Sequence, residues 1–367
     1  MTAVFFTLTP IPYSHKILII MKYSNSQFRS MLISDRTERK IPRLEGLFGK
    51  DDRLAILMYG EPDPDSLSSA WALREFVKDL VGSVEIISLE PIKRQQNQLF
   101  ARKLKIPFAI QHEVVWDKYT KFALVDAQPD FFKPQLPISF DIIIDHHPKK
   151  GNYPFKFSDI RPRYGSTATI LLEYLLTSQV TVGKKLATAL CYGLNTDTDD
   201  LVRGVSPQDV AAYGYLKPKC DSQLLHSLEL AEIPRTYAPY FTEALQLVQA
   251  GGMCPVVCFS KLPSADVCVH IADFLSQFTN MKWVAVGGIC DNVMHVVMRE
   301  SAIGADVGKI ARSKLSKYGS AGGHRGKSRA AIPKAVVEEA LGKEPSNTAL
   351  TAWLRGILIS RTKKSLK

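Results

Sequence analysis

Short apolar runs alternate with segments of helical periodicity in the first half of the chain. The apolar runs predict buried strands over residues 53–59, 84–89, 121–126 and 141–145. The segments between them predict helices over residues 66–81, 97–104, 165–178 and 186–194. Because strands that alternate with helices are typical of parallel βαβ units, we expect a parallel-sheet α/β domain here.

The second half of the chain shows a different order of elements. Residues 206–250 are predicted to be helical with a break at Pro234, and Gly251-Gly252 marks a domain boundary. The remainder predicts strands over 255–259, 282–287 and 293–298, helices over 266–278 and 306–317, a glycine-rich loop over 319–327 and two closing helices. This pattern indicates a second, smaller α/β domain.

The length of 367 residues also favours more than one domain. We predict an N-terminal extension that need not be ordered, the parallel-sheet domain, a helical connector, the smaller domain, and a C-terminal helix with a basic tail. Their bounds are 1–45, 46–205, 206–250, 251–340 and 341–367.

Carboxylates and imidazoles follow the predicted strands and one predicted helix. They are Asp63, Asp65, Asp126, Asp145, His146, His147 and Asp197. Because the carboxyl ends of parallel strands meet at one edge of a sheet, we expect these side chains to gather there, although any one of them could instead cap a helix or turn. Buried carboxylates without Lys or Arg repel one another unless they are protonated or bind a cation. Oxygen ligands with one or two imidazoles suit Mn²⁺, Mg²⁺ or Fe²⁺ better than a structural zinc.

The net charge of +11 is unevenly distributed. Residues 1–50 hold eight Lys and Arg against three Asp and Glu, and residues 312–367 hold thirteen against three, so the intervening residues are net acidic. This asymmetry suits a metal-dependent enzyme that acts on phosphorylated substrates. A solvated basic tail is the alternative, and we prefer it for the last lysines of the chain.

The cysteines and the apolar runs indicate the cellular compartment of the protein. The six cysteines show no Cys-x-x-Cys pair, which is typical of reduced cytoplasmic proteins. No apolar run approaches the roughly 18 residues that span a membrane, and the N-terminus lacks the pattern of a signal peptide. We expect a cytoplasmic protein without a membrane partner.

The order and spacing of these motifs resemble the DHH phosphoesterase superfamily. The resemblance lies in the branch with a DHHA1 domain, which includes nanoRNases, phosphoadenosine-phosphate phosphatases and the RecJ exonuclease, and it covers about residues 52–335. The matching motifs are Asp63-Pro64-Asp65, Val125-Asp126, Asp145-His146-His147, the helix start Gly165–Thr169, Thr196-Asp197-Thr198 and Gly322-Gly323-His324. It implies an N-terminal parallel-sheet DHH domain and a smaller C-terminal α/β DHHA1 domain, with a cleft between them.

The resemblance also implies roles for the site residues. Asp126 would bridge two Mn²⁺ ions, for which Mg²⁺ or Fe²⁺ are alternatives. One site would be completed by Asp65, His146 and Asp197, and the other would be held by Asp63. His147 would contact the scissile phosphate, and Asp145 would orient the histidine pair.

The sequence departs from the family pattern at Tyr59. The family's first motif has a histidine ligand four residues before its first aspartate, and Tyr59 occupies that position here. A neutral phenol, with an unperturbed pKa of about 10, is a poor metal ligand. We therefore expect the first metal site to be weak, to fill only with substrate present, or to be completed by another ligand.

The glycine-rich segment is the predicted substrate grip of the second domain. Small residues let backbone N–H groups approach a phosphate, and nearby Arg side chains add charge. By the resemblance, the substrate-binding residues are Gly322, Gly323, His324 and Arg325, with Arg299 and Ser301 as candidates to join them.

These observations predict a metal-dependent phosphoesterase that cleaves short nucleotide substrates by two-metal activation of water. Linear dinucleotides (nanoRNA) and 3′-phosphoadenosine 5′-phosphate are the expected substrates. The alternatives are a nucleotide-binding or regulatory protein of the same fold with little turnover, a cyclic-dinucleotide phosphodiesterase and a single-strand exonuclease. A homodimer is left open.

Overall fold

The computed structural model of the protein describes residues 22–359, apart from residues 112, 133, 153, 231–232, 251, 302–304, 324 and 343. The chain divides into two compact units, the first ending at Ala231 and the second beginning at Glu232.

Unit 1 is built on a parallel sheet of six strands within the described residues. The strands are β1 (Arg53–Met58), β2 (Ser83–Ser88), β3 (Ala109–Ile110), β4 (Lys121–Val125), β5 (Ile142–Asp145) and β6 (Phe157–Ile160). Their order is β3-β2-β1-β4-β5-β6, and every neighbouring pair is parallel. The order reverses between β1 and β4, so the carboxyl ends of these two strands flank a topological switch point, where such sheets bind ligands.

Helices cover one face of this sheet. They are α1 (Asn25–Leu32), α2 (Asp35–Glu45), α3 (Pro64–Val77), α4 (Gln95–Leu104), α5 (Thr167–Thr177), α6 (Lys184–Asp197), α7 (Pro207–Leu216) and α8 (Ser222–Glu229). Alternate residues of a strand point to opposite faces. Leu54 and Ile56 of β1 therefore join the helical core, whereas Leu57 packs with Phe132 and Phe140 from the segment that follows β4.

The start of the described chain packs onto this unit. Within the predicted extension, residues 25–45 form α1 and α2, and residues 1–21 lie outside the described part. Arg36 and Lys40 of α2 pair with Asp159 of β6 at 2.6 and 3.0 Å. Arg161 donates to the same carboxylate at 2.6 and 2.9 Å and also to Glu173 of α5. Burial alone would raise the pKa of Asp159, but the hydrogen bonds and charge of Arg161 lower it to about 2.

Unit 2 holds a smaller mixed sheet. Its strands are β7 (Val256–Phe259), β8 (Trp283–Cys290), β9 (Val293–Glu300), β10 (Ser320–Gly323) and β11 (Lys327–Pro333), in the order β10-β11-β9-β8-β7. Its helices are α9 (Ala238–Ala250), α10 (Asp266–Leu275), α11 (Val307–Leu315), α12 (Lys334–Leu341) and α13 (Asn347–Ile359). Strands β7 and β8 are parallel and the other pairs are antiparallel. The predicted helical connector contributes α7 and α8 to unit 1 and α9 to unit 2.

The predicted loop over 319–327 was wrong in part, because its first half forms strand β10, which pairs with β11. Glycine has low strand propensity, so the local sequence did not indicate a strand. Close packing requires glycine at one of these positions: Gly323 has a φ of +140°, and a Cβ there would lie 2.4 Å from the backbone oxygen of Lys327. Pairing with a neighbouring strand thus overrides the local preference.

The predicted fold class is confirmed: a parallel-sheet α/β unit is followed by a smaller α/β unit with a mixed sheet. Of the helices in the described residues, none is long and apolar enough to cross a membrane.

We predict that Arg161→Met lowers the free energy of unfolding by about 3–5 kcal/mol, because it leaves Glu173 buried without a counter-charge and leaves Asp159 with only Arg36 and Lys40. Urea unfolding followed by circular dichroism measures the loss. Arg74→Met is the matched control, since Arg74 pairs with Glu75 at a partly exposed position. The control should cost about 0–1 kcal/mol, and equal losses in the two variants would contradict the role given to the buried network.

Candidate metal centre

The predicted site residues of unit 1 gather at the switch point. Asp63 and Asp65 follow β1, Asp126 follows β4, and His146 follows β5 directly. Strands β1, β4 and β5 are neighbours in the sheet, so their carboxyl ends bring these side chains to one edge.

Asp65 is fully buried at the first turn of α3. The backbone N–H groups of Thr167 and Ala168, at the start of α5, donate to its two carboxylate oxygens at 2.7 and 2.8 Å. Burial and the neighbouring carboxylate of Asp197 nevertheless raise the pKa of Asp65 to about 7. The helix terminus positions this carboxylate without supplying the full positive charge that would keep it ionised.

Asp126 has a strained backbone, with φ at +57°, a region that non-glycine residues rarely adopt. Such strain is concentrated at functional sites. Its Oδ1 accepts a hydrogen bond from the hydroxyl of Thr167 at 2.9 Å. Burial, followed by the charges of Asp65 and Asp63, raises the pKa of Asp126 well above its ordinary value.

His146 presents one ring nitrogen to these carboxylates. Its Nδ1 lies 3.2 Å from the carbonyl oxygen of Tyr164, which can only accept, so the proton is on Nδ1. Its Nε2 lies 2.9 Å from Oδ2 of Asp197 and 3.5 Å from Oδ1 of Asp126. This buried Nε2 makes no hydrogen bond of acceptable geometry. Burial would lower the pKa of His146, but the carboxylates of Asp197 and Asp65 outweigh it and raise the value to about 9.

A close helix contact brings Asp197 to the site. A Cβ at Gly193 of α6 would lie 2.4 Å from Oγ of Ser68 and 2.8 Å from the backbone oxygen of Pro64, both in α3. Glycine therefore lets α6 approach α3. Asp197 is the last residue of α6, and this approach places its carboxylate beside His146.

Two sets of three side chains have the spacing of metal ligands. One ligand atom from each of Asp65, His146 and Asp197 lies within 4.8 Å of the others, and Asp126, His146 and His147 form a second such set. In the described part of the chain, no Lys or Arg side chain forms an ion pair with these carboxylates. Carboxylates that outnumber the imidazoles beside them and lack Lys or Arg partners fit a divalent cation, which would supply positive charge.

His147 is held by a different carboxylate. Its Nδ1 lies 2.8 Å from Oδ1 of Asp145, whose other oxygen accepts from the side-chain amide of Gln128 at 2.6 Å. Burial would raise the pKa of Asp145, but the hydrogen bond and charge of His147 outweigh it and lower the value. The side chain of His147 is 41% exposed, so the imidazole is oriented by Asp145 and accessible to solvent.

Asp63 and Tyr59 come from the segment that follows β1, and burial and the charge of Asp197 raise the pKa of Asp63. Asp63 is the N-cap of α3 and accepts from the backbone N–H of Ser66 at 2.9 Å. It belongs to neither set of candidate ligands among the described residues. Tyr59 is 44% exposed, and its ring packs edge-on against Phe131 and Phe132 at centroid distances of 5.5 and 5.1 Å. The roles predicted for both residues stay predictions.

The predicted substrate residues of unit 2 lie toward one end of its sheet. Gly323 of β10 pairs with Ser328 of β11, and the adjoining Lys327 pairs with Arg299 of β9. The Nε of Arg299 donates to Asp273 at 2.5 Å.

The other residues predicted to bind substrate differ in their exposure and their contacts. Gly322 precedes Gly323 in β10, and Arg325 is exposed. The hydroxyl of Ser301 is buried without a partner among the described residues. His324 lies outside the described part, and a substrate role for this group stays a prediction.

The sequence did not indicate three further residues of the site. Gln128 holds Asp145, the Thr167 hydroxyl holds Asp126, and the Tyr164 carbonyl orients His146. The helix start around Thr167 was recognised as a motif, but its contact spans 41 positions of the chain. Neutral and backbone groups have no distinctive spacing, so nothing in the sequence indicated these contacts.

Comparisons with known proteins bear on the fold. No protein-family model matches the chain. An uncharacterized protein of Methanocaldococcus jannaschii is 29% identical over 329 residues, which cover 88% of this chain and 67% of that protein. An A-adding tRNA nucleotidyltransferase of Aquifex aeolicus is 25% identical over 203 residues, which cover 54% of this chain and 23% of that protein. A solved structure of an exopolyphosphatase-related protein from Bacteroides fragilis has a TM-score of 0.58 and 13% identity, covering 81% of this chain and 91% of that one.

The likeness to the Bacteroides protein shows a shared fold. It extends over most of both chains and so includes elements of both units. The predicted membership of the DHH superfamily stays a prediction, as do the branch, the metal and the substrate.

We predict that Mn²⁺ raises the melting temperature of the metal-free protein and that Asp126→Asn removes most of this increase. The stabilisation of the wild type should reach about 2.7 kcal/mol at a metal concentration one hundred times Kd. Without metal, Asp126→Asn should be more stable than the wild type, because it removes one of the repelling carboxylates.

Thermal unfolding after chelation, with and without Mn²⁺, measures both effects. Asp117→Asn, at an exposed carboxylate of the same unit, is the control and should change neither value. An Asp126→Asn variant that is less stable without metal, yet gains as much from Mn²⁺ as the wild type, would exclude a cation at this carboxylate.

Proposed function

We propose that this protein is a metal-dependent phosphoric ester hydrolase that acts on short nucleotide substrates. The observation that carries the proposal is the convergence of Asp65, Asp126 and Asp197 on the buried imidazole of His146. These carboxylates lie at the switch point of a parallel sheet and have no Lys or Arg partner among the described residues. Such groups do not stabilise the fold, and their position suits the binding of cations and phosphates.

The proposed ligands are the residues of the two sets. Asp65, His146 and Asp197 would hold one divalent cation, and Asp126 would be shared with a second. When bound, such cations activate water and neutralise charge on a phosphoryl group. Mn²⁺ is the proposed metal, since carboxylates with imidazole suit it, and Mg²⁺ and Fe²⁺ satisfy the same donors.

His147 is the proposed contact for the scissile phosphate. Its Nδ1 donates to ionised Asp145, which leaves Nε2 for the substrate. An imidazole oriented by a carboxylate in this way can stabilise an oxyanion or transfer a proton to a leaving oxygen. Gln128 fixes Asp145 from its other oxygen and so acts as a positioning residue.

The shared fold supports the reaction class. The Bacteroides protein is described as exopolyphosphatase-related, and we extend only the hydrolysis of a phosphate linkage to this chain. The nature of the substrate rests on the DHH resemblance of the motifs and on the basic residues near the C-terminus.

A nucleotide-binding protein with little turnover is the second candidate, and Tyr59 favours it. The described contacts of this ring are with Phe131 and Phe132 rather than with a carboxylate of the site. If the first metal site requires a ligand at this position, the chain would bind substrate without cleaving it.

Hydrolysis by metal-stripped protein refilled with Mn²⁺ tests the proposal. We expect turnover of pApA or pGpG, and its loss in Asp126→Ala. His147→Gln should lower kcat by about 10²- to 10⁴-fold, because it removes the oriented imidazole. Asp117→Ala serves as the control and should retain activity.

Other substrates in the same assay decide between the alternatives. Turnover of adenosine 3′,5′-bisphosphate alone would indicate a phosphatase, and preference for long single strands would indicate an exonuclease. Bound nucleotide without turnover of any substrate would reject the hydrolase and favour the nucleotide-binding protein.

A further inference from the structure

We propose that Tyr59 and Phe131 form a stacking subsite for the nucleobase next to the phosphate that is cleaved. This inference rests on the proposed function and deepens it, since it assigns the substrate class to those with a base beside the scissile phosphate. An inorganic polyphosphate would leave this surface uncovered.

The exposure of Tyr59 is the first observation. Among the Phe, Tyr and Trp side chains of unit 1 that the structure describes, only Tyr59 is exposed, with 44% of its surface accessible. It directly follows β1, one of the two strands that flank the switch point. A large exposed ring at this edge, rather than at random on the surface, indicates a ligand contact.

The second observation is a continuous line of rings that leads from Tyr59 into the candidate metal centre. Tyr59 packs edge-on against Phe131 at a centroid distance of 5.5 Å, and Phe131 packs edge-on against His147 at 5.7 Å. His147 in turn lies 4.4 Å from His146. A substrate whose phosphate reaches His147 therefore carries its adjoining nucleoside along this line.

The aromatic surface is rigidly supported. Tyr59 also contacts Phe132, which is buried and stacks on Phe140 at 6.0 Å. Gln128, three residues before Phe131, accepts the backbone N–H of Lys150 at 2.7 Å and donates to Asp145 at 2.6 Å. The same side chain thus ties the ring-bearing segment to the carboxylate that orients His147, and a preorganised surface loses little entropy on binding.

The local charge suits a nucleotide. The ammonium group of Lys150 lies 5.2 Å from the centroid of Phe131. An aromatic face next to a cation is how proteins hold a base together with its phosphate when they do not select the base identity. We therefore expect a requirement for a base without strong discrimination among bases.

The test compares pApA with an analogue that lacks the base beside the scissile phosphate, in Mn²⁺-loaded protein. Tyr59→Ala should reduce the preference in kcat/KM for pApA over the analogue by about 5- to 140-fold, through KM, which corresponds to the loss of one stacked base. Tyr59→Phe should retain the preference because the ring remains. Phe278→Ala, which removes a 40% exposed aromatic ring of unit 2, is the matched control and should leave the preference unchanged.

A second measurement separates this inference from the proposed hydrolysis. With 2-aminopurine in the same base position, stacking quenches its fluorescence whether or not the substrate is cleaved. Quenching that Tyr59→Ala abolishes and Tyr59→Phe preserves would support the subsite even if the wild type shows no turnover. Equal loss of pApA and analogue in Tyr59→Ala, no change in preference, or no quenching by the wild type would each overturn it.

Discussion

The repulsion among carboxylates at one edge of the unit 1 sheet is the constraint on which the rest of the site depends. Asp65 and Asp126 are drawn together by buried strands and helices, and burial raises the pKa of both. The fold holds them with neutral donors, namely the N-terminal N–H groups of α5 and the hydroxyl of Thr167. Such donors orient a carboxyl group without supplying a full positive charge, so a bound cation would favour its ionised form.

In β6 of the same sheet, a buried carboxylate is instead paired with a counter-charge. Asp159 in β6 is as deeply buried as Asp65, yet Arg161 lowers its pKa to about 2, whereas that of Asp65 is raised to about 7. Burial raises the pKa of both carboxyl groups; the hydrogen bonds and charge of Arg161 outweigh it at Asp159, whereas the charge of Asp197 adds to it at Asp65. A paired carboxylate contributes to stability, and α2 uses this one to pack onto the sheet. The unpaired carboxylates at the switch point destabilise the protein without a cation, which is the expected cost of a functional site.

In the proposed function, Tyr59 would bear on both metal binding and the choice of substrate. It occupies a predicted metal-ligand position, and through Phe131 its ring continues the ring surface that begins at His146 and His147. Phe131 lies at the junction, because it contacts both Tyr59 and His147. If an aromatic ring replaced a metal ligand at this position, the protein would lose affinity for the cation and gain a contact with the base. These two proposed effects of Tyr59 can be measured separately, because one would change the affinity for the cation and the other the KM for the substrate.

The sequence by itself determined the two α/β units and the strands that end in acidic residues, and it singled out side chains that the fold brings together at the switch point, because apolar periodicity and strand-end carboxylates are local signals. The local signal does not decide the role of Asp63, since this carboxylate is the N-cap of α3 and also interacts with Asp197 and His146. Only the tertiary structure decided which neutral groups orient the site, because Gln128, Thr167 and Tyr164 act through contacts that sequence spacing does not encode. It also decided that the glycine-rich segment begins as strand β10, since pairing with β11 outweighs the weak strand propensity of glycine. The contact of α6 with α3 at Gly193, which brings Asp197 to His146, likewise depends on packing between distant parts of the chain.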